Sequence, residues 1–341
     1  MSHSLLSQIE LSICKVRRAI SDLKAGYFVT IDDKYLIASA ETITQLNFNR
    51  LTTLFKDQVQ LICNSKATSC LKSIPYIADY LQSEFPKKPL AELELSEEHT
   101  ALALLKLGQL LPAFFITQSS AVITNGIANI TPDDIEIFKE HYSTDLVKLS
   151  SEVNLTLKTS KQAVFHIFRS KLDGTECYAI LIGKINKNIP PLVRIHSSCY
   201  TGDLLNSLQC DCNAQLALAI AYMGASTENA GILIYLPQEG RSIGLVNKLR
   251  TYELQAQGHD TVDANEMLGF KADEREFKIA ANILKEFQIS NVRLLSNNPQ
   301  KARSLETSGI QVTQVLPLIT EINQYNKTYL ETKKQKMGHT I

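Results

Sequence analysis

The sequence predicts an α/β protein of two domains, each a mixed sheet with packed helices. Three observations lead there. The 341 residues are 44% hydrophobic and 21% charged, which is enough apolar material for two cores of ordinary domain size. Short runs rich in β-branched and aromatic residues (AVFHIFR, CYAILIG, LVRIHS, GILIYL, VRLLS) alternate with helix-period segments through the second half, the pattern of a layered α/β architecture. The composition also changes near residue 150, which divides the chain into a first domain over 1–150 and a second over 151–341.

Taken in order, residues 8–25 place Ile9, Ile13, Val16, Ile20 and Leu23 at helical spacing and stop at Gly26. A strand, YFVTI, follows. HTALALLKLGQLL within 95–110 is apolar nearly all round, as a buried helix would be, and Pro112 ends it. In ITPDDIEIFKEHY, Thr131 is the expected N-cap and Pro132 the first helical residue. The second half predicts helix 213–223, strand 231–236, helix 242–257 closed by Gly258, helix 273–288, strand 292–296 and helix 299–308. The tail ETKKQKMGHTI is too polar to contribute a core element by itself, and no internal repeat is visible.

Lysine plus arginine equals aspartate plus glutamate at 35 each, so the strong positive field of a general nucleic-acid binder is absent and any basic site must be local. No apolar run reaches the length of a bilayer-spanning helix, and the start lacks the basic-then-apolar order of a secretory signal. The expectation is a cytoplasmic protein with no membrane and no nucleic-acid partner. Seven cysteines, an odd number in a chain this long, argue for reduced thiols over a disulfide framework.

Three of those cysteines, Cys199, Cys210 and Cys212, fall within CYTGDLLNSLQCDC. In an extended segment Cys210 and Cys212 point to one side, and Cys199 can return through the turn at Thr201-Gly202-Asp203. Three sulfur ligands leave a tetrahedral zinc one open position, the catalytic arrangement. Two other readings stand beside it: small buried side chains, or a structural zinc with His196 as fourth ligand. Cys14, Cys63, Cys70 and Cys177 are expected only to pack.

Two further places suit an anion. Pro237–Gly244 follows a strand and opens a helix; Gly240 permits close backbone approach and Arg241 offers a planar fork, although a routine turn would look similar. In SNNPQKA, Asn298 is the expected N-cap, Pro299 the first helical residue, and Lys301 opposes the helix dipole, which a bound anion or plain solvation would explain. Asp273 and Arg275, two apart at an expected helix start, diverge unless a common ligand draws them together.

Taken together, RIHSSCYTGD, LQCDCNAQL, PQEGRSIGLVNKLRTYELQAQGHDTVDAN, LGFKADEREF, LLSNNPQKA and YLETKKQKMGH, in this order over roughly 160–340, closely resemble the GTP cyclohydrolase II family of riboflavin synthesis. The resemblance implies a GTP cyclohydrolase II-like fold in the second domain. It also implies a zinc-dependent hydrolysis of GTP to a diaminopyrimidinone ribosylamino phosphate, formate and pyrophosphate. One zinc per subunit would be held by Cys199, Cys210 and Cys212, and magnesium would accompany the triphosphate.

Arg275 falls where the family places its proposed nucleophile toward the α-phosphorus, Asp273 its proton acceptor, and Tyr252 a tyrosine beside the ring opening. A guanidinium is nearly always protonated, so charge stabilisation stands beside covalent attack as the role of Arg275. Substrate contacts are implied for Arg194, Ile195, His196, Ser197, Ser198, Gln215, Glu239, Gly240, Arg241, Thr261, Ser296 and Lys301, and a homodimer for the assembly. The family usually has Glu, Arg and Thr where this chain has Ser198, Gln209 and Ser296. Two alternatives remain: a cyclohydrolase releasing a formamido product, or a nucleotide-binding regulator without turnover.

The first half resembles dihydroxybutanone-phosphate synthase, which precedes the cyclohydrolase in many relatives. VRRAISDLKAGYFVTIDD, KYLIASAE and HTALALLKLGQLLPA carry the likeness. The family's acidic loop is reduced to Asp32 and Asp33, and the glutamate after His-Thr is Ala101. Without that carboxylate cluster there is little to hold a divalent metal or abstract protons, so the expectation is a degenerate domain that has lost synthase activity.

Overall fold

The computed structural model describes residues 5–82, 86–119, 126–142, 146–149, 152–157, 160–186, 188–225 and 230–341. The boundary expected near residue 150 falls on residues outside this set. Backbone contacts divide the chain into two units: Met1–His141 with Val246–His259 and Asp263–Asp273, and Tyr142–Leu245 with Asp260–Val262 and Glu274–Ile341.

The first unit is built on a mixed six-stranded sheet in the order Lys87–Lys88, Gln60–Cys63, Ala113–Gln118, Tyr35–Ser39, Val29–Ile31, Ala128–Ile130. Phe114, Phe115, Leu61 and Ile62 are fully buried along its central strands. The first helix runs Gln8–Lys24 and buries Ile13, Val16 and Leu23 of its predicted apolar stripe together with Ala19, while Ile9 of that stripe is exposed. Helix Ser96–Leu107 buries Ala101, Leu104 and Leu105. Helix Pro132–Tyr142 starts where proline and the Thr131 cap require it: Asp134 N–H donates to Thr131 Oγ1 at 3.2 Å, and Thr131 N–H to Asp134 Oδ2 at 2.9 Å.

The second unit carries an eight-stranded sheet that is half parallel and half antiparallel. Gln311–Leu316, Asn291–Leu295, Leu192–Ser197 and Gly231–Leu236 are neighbours in that order and run parallel. Glu176–Ile182, Ser160–Ser170 and Leu146–Lys148 continue the sheet antiparallel, and Val153–Leu157 also pairs with Ser160–Ser170. Period-two alternation sends Val193 and Ile195 into the core on one face, with Ile283, Leu284 and Leu305, while Leu192 packs on the other with Ala219 and Met223. By the same alternation Arg194 and His196 share the face of Leu192. Truncating Leu284, fully buried in this core, to alanine would cost about 2–5 kcal/mol.

Several expected elements shift, each for a local reason. The helix expected from 242 begins at Leu245, because Gly240, Arg241 and Ser242 have φ of 61°, 62° and 70°. The helix expected from 273 begins at Lys278: Glu274 N–H donates to Arg241 O at 3.2 Å and Gln238 Nε2 to Glu276 O at 2.6 Å, which ties these residues to the loop beside them instead. The polar tail is a helix, Lys327–Met337, and buries Leu330 and Thr332. Cys63 and Cys177 pack as expected, but Cys14 is exposed. Helices Gln45–Phe55, Ser65–Leu71, Pro75–Gln82 and Thr261–Leu268 have no counterpart among the predicted elements.

Candidate metal and anion site

Three adjacent parallel strands of the second unit end in segments that carry chemistry. Leu192–Ser197 leads into Cys199, Gly231–Leu236 into the Gln238–Arg241 loop, and Asn291–Leu295 into Ser296–Asn298. Carboxyl ends of parallel strands are where ligands of open α/β sheets gather.

The Sγ atoms of Cys199, Cys210 and Cys212 lie within 4.8 Å of one another, and Cys199 and Cys210 are 3.8 Å apart. A tetrahedral zinc with Zn–S bonds of about 2.3 Å separates its sulfurs by about 3.8 Å, so the donor set fits that ion. The extended segment expected over Cys210–Cys212 is a bend into a helix: Asp211 has φ −99° and ψ 9°, Cys212 is the first residue of helix Cys212–Gly224, and Cys199 precedes a helical turn, Tyr200–Leu204. Gly202 in that turn makes the close approach possible. A Cβ there would stand 2.9 Å from Cys210 Sγ and 3.0 Å from Cys199 Sγ. Hydrogen bonding with Cys199, joined by burial, raises the Cys210 thiol to about 11, and hydrogen bonding with Cys199 and Cys210 raises the Cys212 thiol well above its ordinary value. A divalent cation reverses that shift by stabilising thiolates.

Asp203 holds this turn, and sequence reasoning gave it no role beyond the turn itself. Its Oδ2 accepts from Cys199 N–H at 3.0 Å and from the Tyr235 hydroxyl at 2.9 Å, and both its oxygens lie 3.1 Å from His196 Nε2. His196 stacks on Tyr235 at 5.5 Å. Burial pushes the His196 pKa down despite the carboxylate, so the ring is neutral at neutral pH. Its Nε2 is committed to Asp203, and the clustered donors are the three cysteines, so the alternative of His196 as fourth ligand is not what the geometry shows.

Beside the thiols lies a pocket to which Cys212 contributes, lined by five cations, Arg194, Arg241, Arg275, Lys301 and Lys333, against one carboxylate, Asp211. Arg194 Nη2 donates to Gln215 Oε1 and its Nη1 to Leu295 O; Gln215 Nε2 donates to Asp211 Oδ2; Lys333 Nζ donates to Asp211 Oδ1 at 2.9 Å. Burial lowers Arg194 to about 10, which leaves it charged at neutral pH. Arg275 and Lys301 sit 5.2 Å and 5.3 Å from the Phe277 ring centroid, two cations sharing one aromatic ring. Lys301 also donates to Ile195 O at 2.8 Å, so a backbone carbonyl, and not only an anion, accounts for a lysine in the first turn. Asn298 caps its helix as predicted, accepting from Gln300 N–H at 2.9 Å.

Among the described residues, buried polar atoms around this pocket that have no hydrogen-bond partner within the chain include Arg194 Nε, His196 Nδ1, Asn298 Nδ2 and His339 Nε2. Buried polar groups in folded proteins are almost always satisfied, so such orphans mark where a polar ligand docks. Five cations name its charge.

Of the residues implied by resemblance, Arg194, His196, Ser197, Gln215, Arg241, Arg275, Ser296 and Lys301 come together around the pocket. Ile195 contributes its carbonyl to Lys301. Ser198 N–H donates to Leu236 O, and Glu239 Oε2 accepts from Tyr200 N–H at 2.6 Å, so Glu239 braces the cysteine turn. Gly240 belongs to the same left-handed loop as Arg241, and Thr261 opens helix Thr261–Leu268. Tyr252 and Asp273 fall in the other unit. Besides Asp203, the residues missed in the sequence are Asp211, Tyr329, Lys333 and His339. The last three lie in the terminal YLETKKQKMGH block, and the i, i+4 spacing of Tyr329 and Lys333 was the available signal.

A mixed-sheet unit whose parallel strands set a three-thiol cradle against a cation-lined pocket has the architecture of a metal-dependent enzyme acting on a phosphorylated substrate. Residues 148–317 match the model of the family described as GTP cyclohydrolase II. A GTP cyclohydrolase-2 of Buchnera aphidicola subsp. Schizaphis graminum is 50% identical over 174 residues, 51% of this chain and 88% of that protein. The chain belongs to the GTP cyclohydrolase II family.

Riboflavin biosynthesis proteins RibBA are also similar. The one from Staphylococcus saprophyticus is 43% identical over 218 residues, 64% of this chain and 54% of the relative; that from Bacillus mycoides is 44% identical over 217 residues, 63% and 53%. The chain thus spans about half the length of the RibBA relatives it matches. Among the described residues, no helix is long and apolar enough to cross a membrane.

Proposed function

We propose that the chain hydrolyses GTP to a diaminopyrimidinone ribosylamino phosphate, formate and pyrophosphate, as the first step of riboflavin synthesis. The observation that carries the reading is the Cys199–Cys210–Cys212 cradle, with Cys212 shared between it and a pocket of five cations. Zinc held by those thiolates would supply an electrophilic centre that activates water at neutral pH.

The chain's own residues do the rest. Asp203 fixes the Cys199 backbone and the orientation of His196, while Arg194, Arg241, Lys301 and Lys333 offer charge to the triphosphate, which magnesium accompanies. Arg275 stabilises the charge of the transferring phosphoryl group, Asp273 accepts a proton, and Tyr252 orients the base. Ser197, Ser198, Gln215, Glu239, Gly240, Thr261 and Ser296 position the nucleotide. The same reading carries a cytoplasmic homodimer.

The first unit supports packing and not synthase chemistry. Ala101, where the resembling family has a glutamate, is fully buried, and Asp32 and Asp33 form the tight connection between strands Val29–Ile31 and Tyr35–Ser39. Formation of dihydroxybutanone phosphate from ribulose 5-phosphate would overturn this part.

The test of the main reading is a product analysis by mass, using metal-quantified protein with GTP and magnesium. Formate, pyrophosphate and the diaminopyrimidinone in equal amounts are expected. A formamido product would mean that the reaction stops early, and GTP bound but unchanged would mean a regulator. Cys210→Ser is expected to lose both zinc and formate release.

A further inference from the structure

His339 reaches the anion pocket, and its placement is over-determined. Helix Lys327–Met337 ends at Gly338, whose left-handed φ of 67° turns the chain, and His339 N–H donates to Lys333 O at 3.1 Å. Thr340 N–H then donates to Asn297 O at 3.1 Å, which fastens the tail to the loop between Ser296 and Asn298. Lys336 pairs with Asp260, and Lys333 with Asp211, so the helix itself is anchored on two sides.

These contacts deliver the His339 ring into the wall of the pocket, where its Nε2 is buried and has no hydrogen-bond partner within the chain. The charged and titratable groups facing it come from every neighbouring segment: Tyr329 and Lys333 from the helix before it, Asp211 from the cysteine loop, Arg241 from the loop after strand Gly231–Leu236, Arg275 from the loop before helix Lys278–Glu286, and Lys301 from helix Pro299–Thr307. Burial, then the charges of Lys333, Arg275, Lys301 and Arg241, hold its pKa down to about 3, so the free protein carries a neutral ring at neutral pH. A neutral imidazole still has one N–H to give. A phosphate oxygen offers only lone pairs, so a bound polyphosphate selects the tautomer with hydrogen on Nε2, and a neutral donor adds no further repulsion to a site already crowded with cations.

We propose that His339 is an anion-binding residue of this pocket, donating from Nε2 to an oxygen of a bound polyphosphate, with the turn at Gly338 and the Thr340–Asn297 bond holding it in place. The proposal rests on the pocket assignment made under Proposed function and adds a residue to it.

The test uses the zinc-loaded full chain and inorganic tripolyphosphate, with affinity read by calorimetry and the histidine ring nitrogens by long-range nitrogen–proton correlation. The His339 signals are assigned by their loss in His339→Gln. At saturation, Nε2 of the wild type is expected to move to the protonated range of a neutral ring while Nδ1 moves to the unprotonated range.

His339→Leu is expected to weaken tripolyphosphate about tenfold or more, as loss of a hydrogen bond to a charged group does, and His339→Gln, whose amide can donate, to recover most of it. Melting temperature and zinc content of both variants establish that they fold, and the ring shifts of the wild type depend on neither variant. Unchanged ring signals at saturation, or a leucine variant binding within about twofold of wild type, would overturn the role of His339 while leaving the pocket assignment standing. Failure of the wild type to bind tripolyphosphate at all would overturn both.

Discussion

Lys333 donates to Asp211 at 2.9 Å, and Asp211 is the residue between Cys210 and Cys212. The C-terminal helix thereby holds the metal cradle through one buried ion pair, with the Lys333 side chain 11% and the Asp211 side chain 4% exposed. Lys333→Met leaves that carboxylate buried with only Gln215 to bond it, and removing one partner of a buried pair costs about 3–5 kcal/mol. Unfolding free energy in urea is expected to fall by about that amount, with zinc bound more weakly, and the double variant Lys333→Met/Asp211→Asn is expected to recover part of the loss. A single variant as stable as wild type would show the pair to be inconsequential. Burial works against the charge on Lys333, but Tyr329 and Asp211 win and its pKa is raised. Its contribution is therefore complete below the unfolded lysine value and is lost only as pH climbs through the higher folded value, so the difference between variant and wild type stays constant across neutral pH.

Gly202→Ala tests the cradle by shape alone. The added carbon would meet two sulfurs at 2.9 Å and 3.0 Å and the Cys212 Cβ at 3.0 Å, closer than side chains approach, so the thiols must move apart. The expected outcome is a folded protein, by circular dichroism and melting, whose zinc content is well below one per chain. Full zinc occupancy in that variant would mean that the turn is more accommodating than its packing indicates.

Asp203→Asn keeps the size of the side chain and removes its charge and one acceptor. Three donors converge on that carboxylate, and an amide nitrogen turned toward any of them faces a donor with a donor. Loss of such an outer contact to a metal-holding segment lowers metal affinity by about 10–100-fold. Competition with a chelating dye is expected to show a drop of that size, with the fold intact. A change under about twofold would mean that Asp203 serves only the turn.

Much of this site was legible in the sequence because its parts are local. Cys199, Cys210 and Cys212 sit within fourteen residues, and the strand-then-loop order that brings Arg194, Arg241 and Ser296 to one sheet end follows from alternation of strands and helices. Asp203 and Lys333 were harder to see, since their roles depend on partners distant in sequence, Tyr235 for one and Asp211 for the other. The same reason explains the shifted helix starts. Propensity favoured helix from 242 and from 273, but one backbone bond, Glu274 N–H to Arg241 O, and one from the Gln238 side chain to Glu276 O hold both stretches in a loop whose left-handed residues no helix period reveals. The terminal helix was missed because its buried face is short: Leu330 is its one buried apolar residue, and its remaining attachments are polar.

The first unit offers a prediction on stability independent of any chemistry. Asp134 collects bonds from Ser12 Oγ, Thr131 N–H, Thr131 Oγ1 and Lys15 Nζ, tying helix Pro132–Tyr142 to helix Gln8–Lys24. Burial tends to raise its pKa, but the bonds from Ser12 and Thr131 and the charge of Lys15 outweigh it, and the folded value lies below the ordinary one. A depressed carboxylate stabilises the fold above its unfolded pKa of about 3.9 and loses that contribution as pH falls through the folded value. Asp134→Asn, which surrenders the charge and one acceptor, is therefore expected to cost about 1–2 kcal/mol at pH 7, with the gap to wild type closing below about pH 4. Urea titrations of the two proteins at several pH values read it directly. A gap that stayed constant down to pH 3 would assign the effect to lost packing, since only ionisation of Asp134 makes it close.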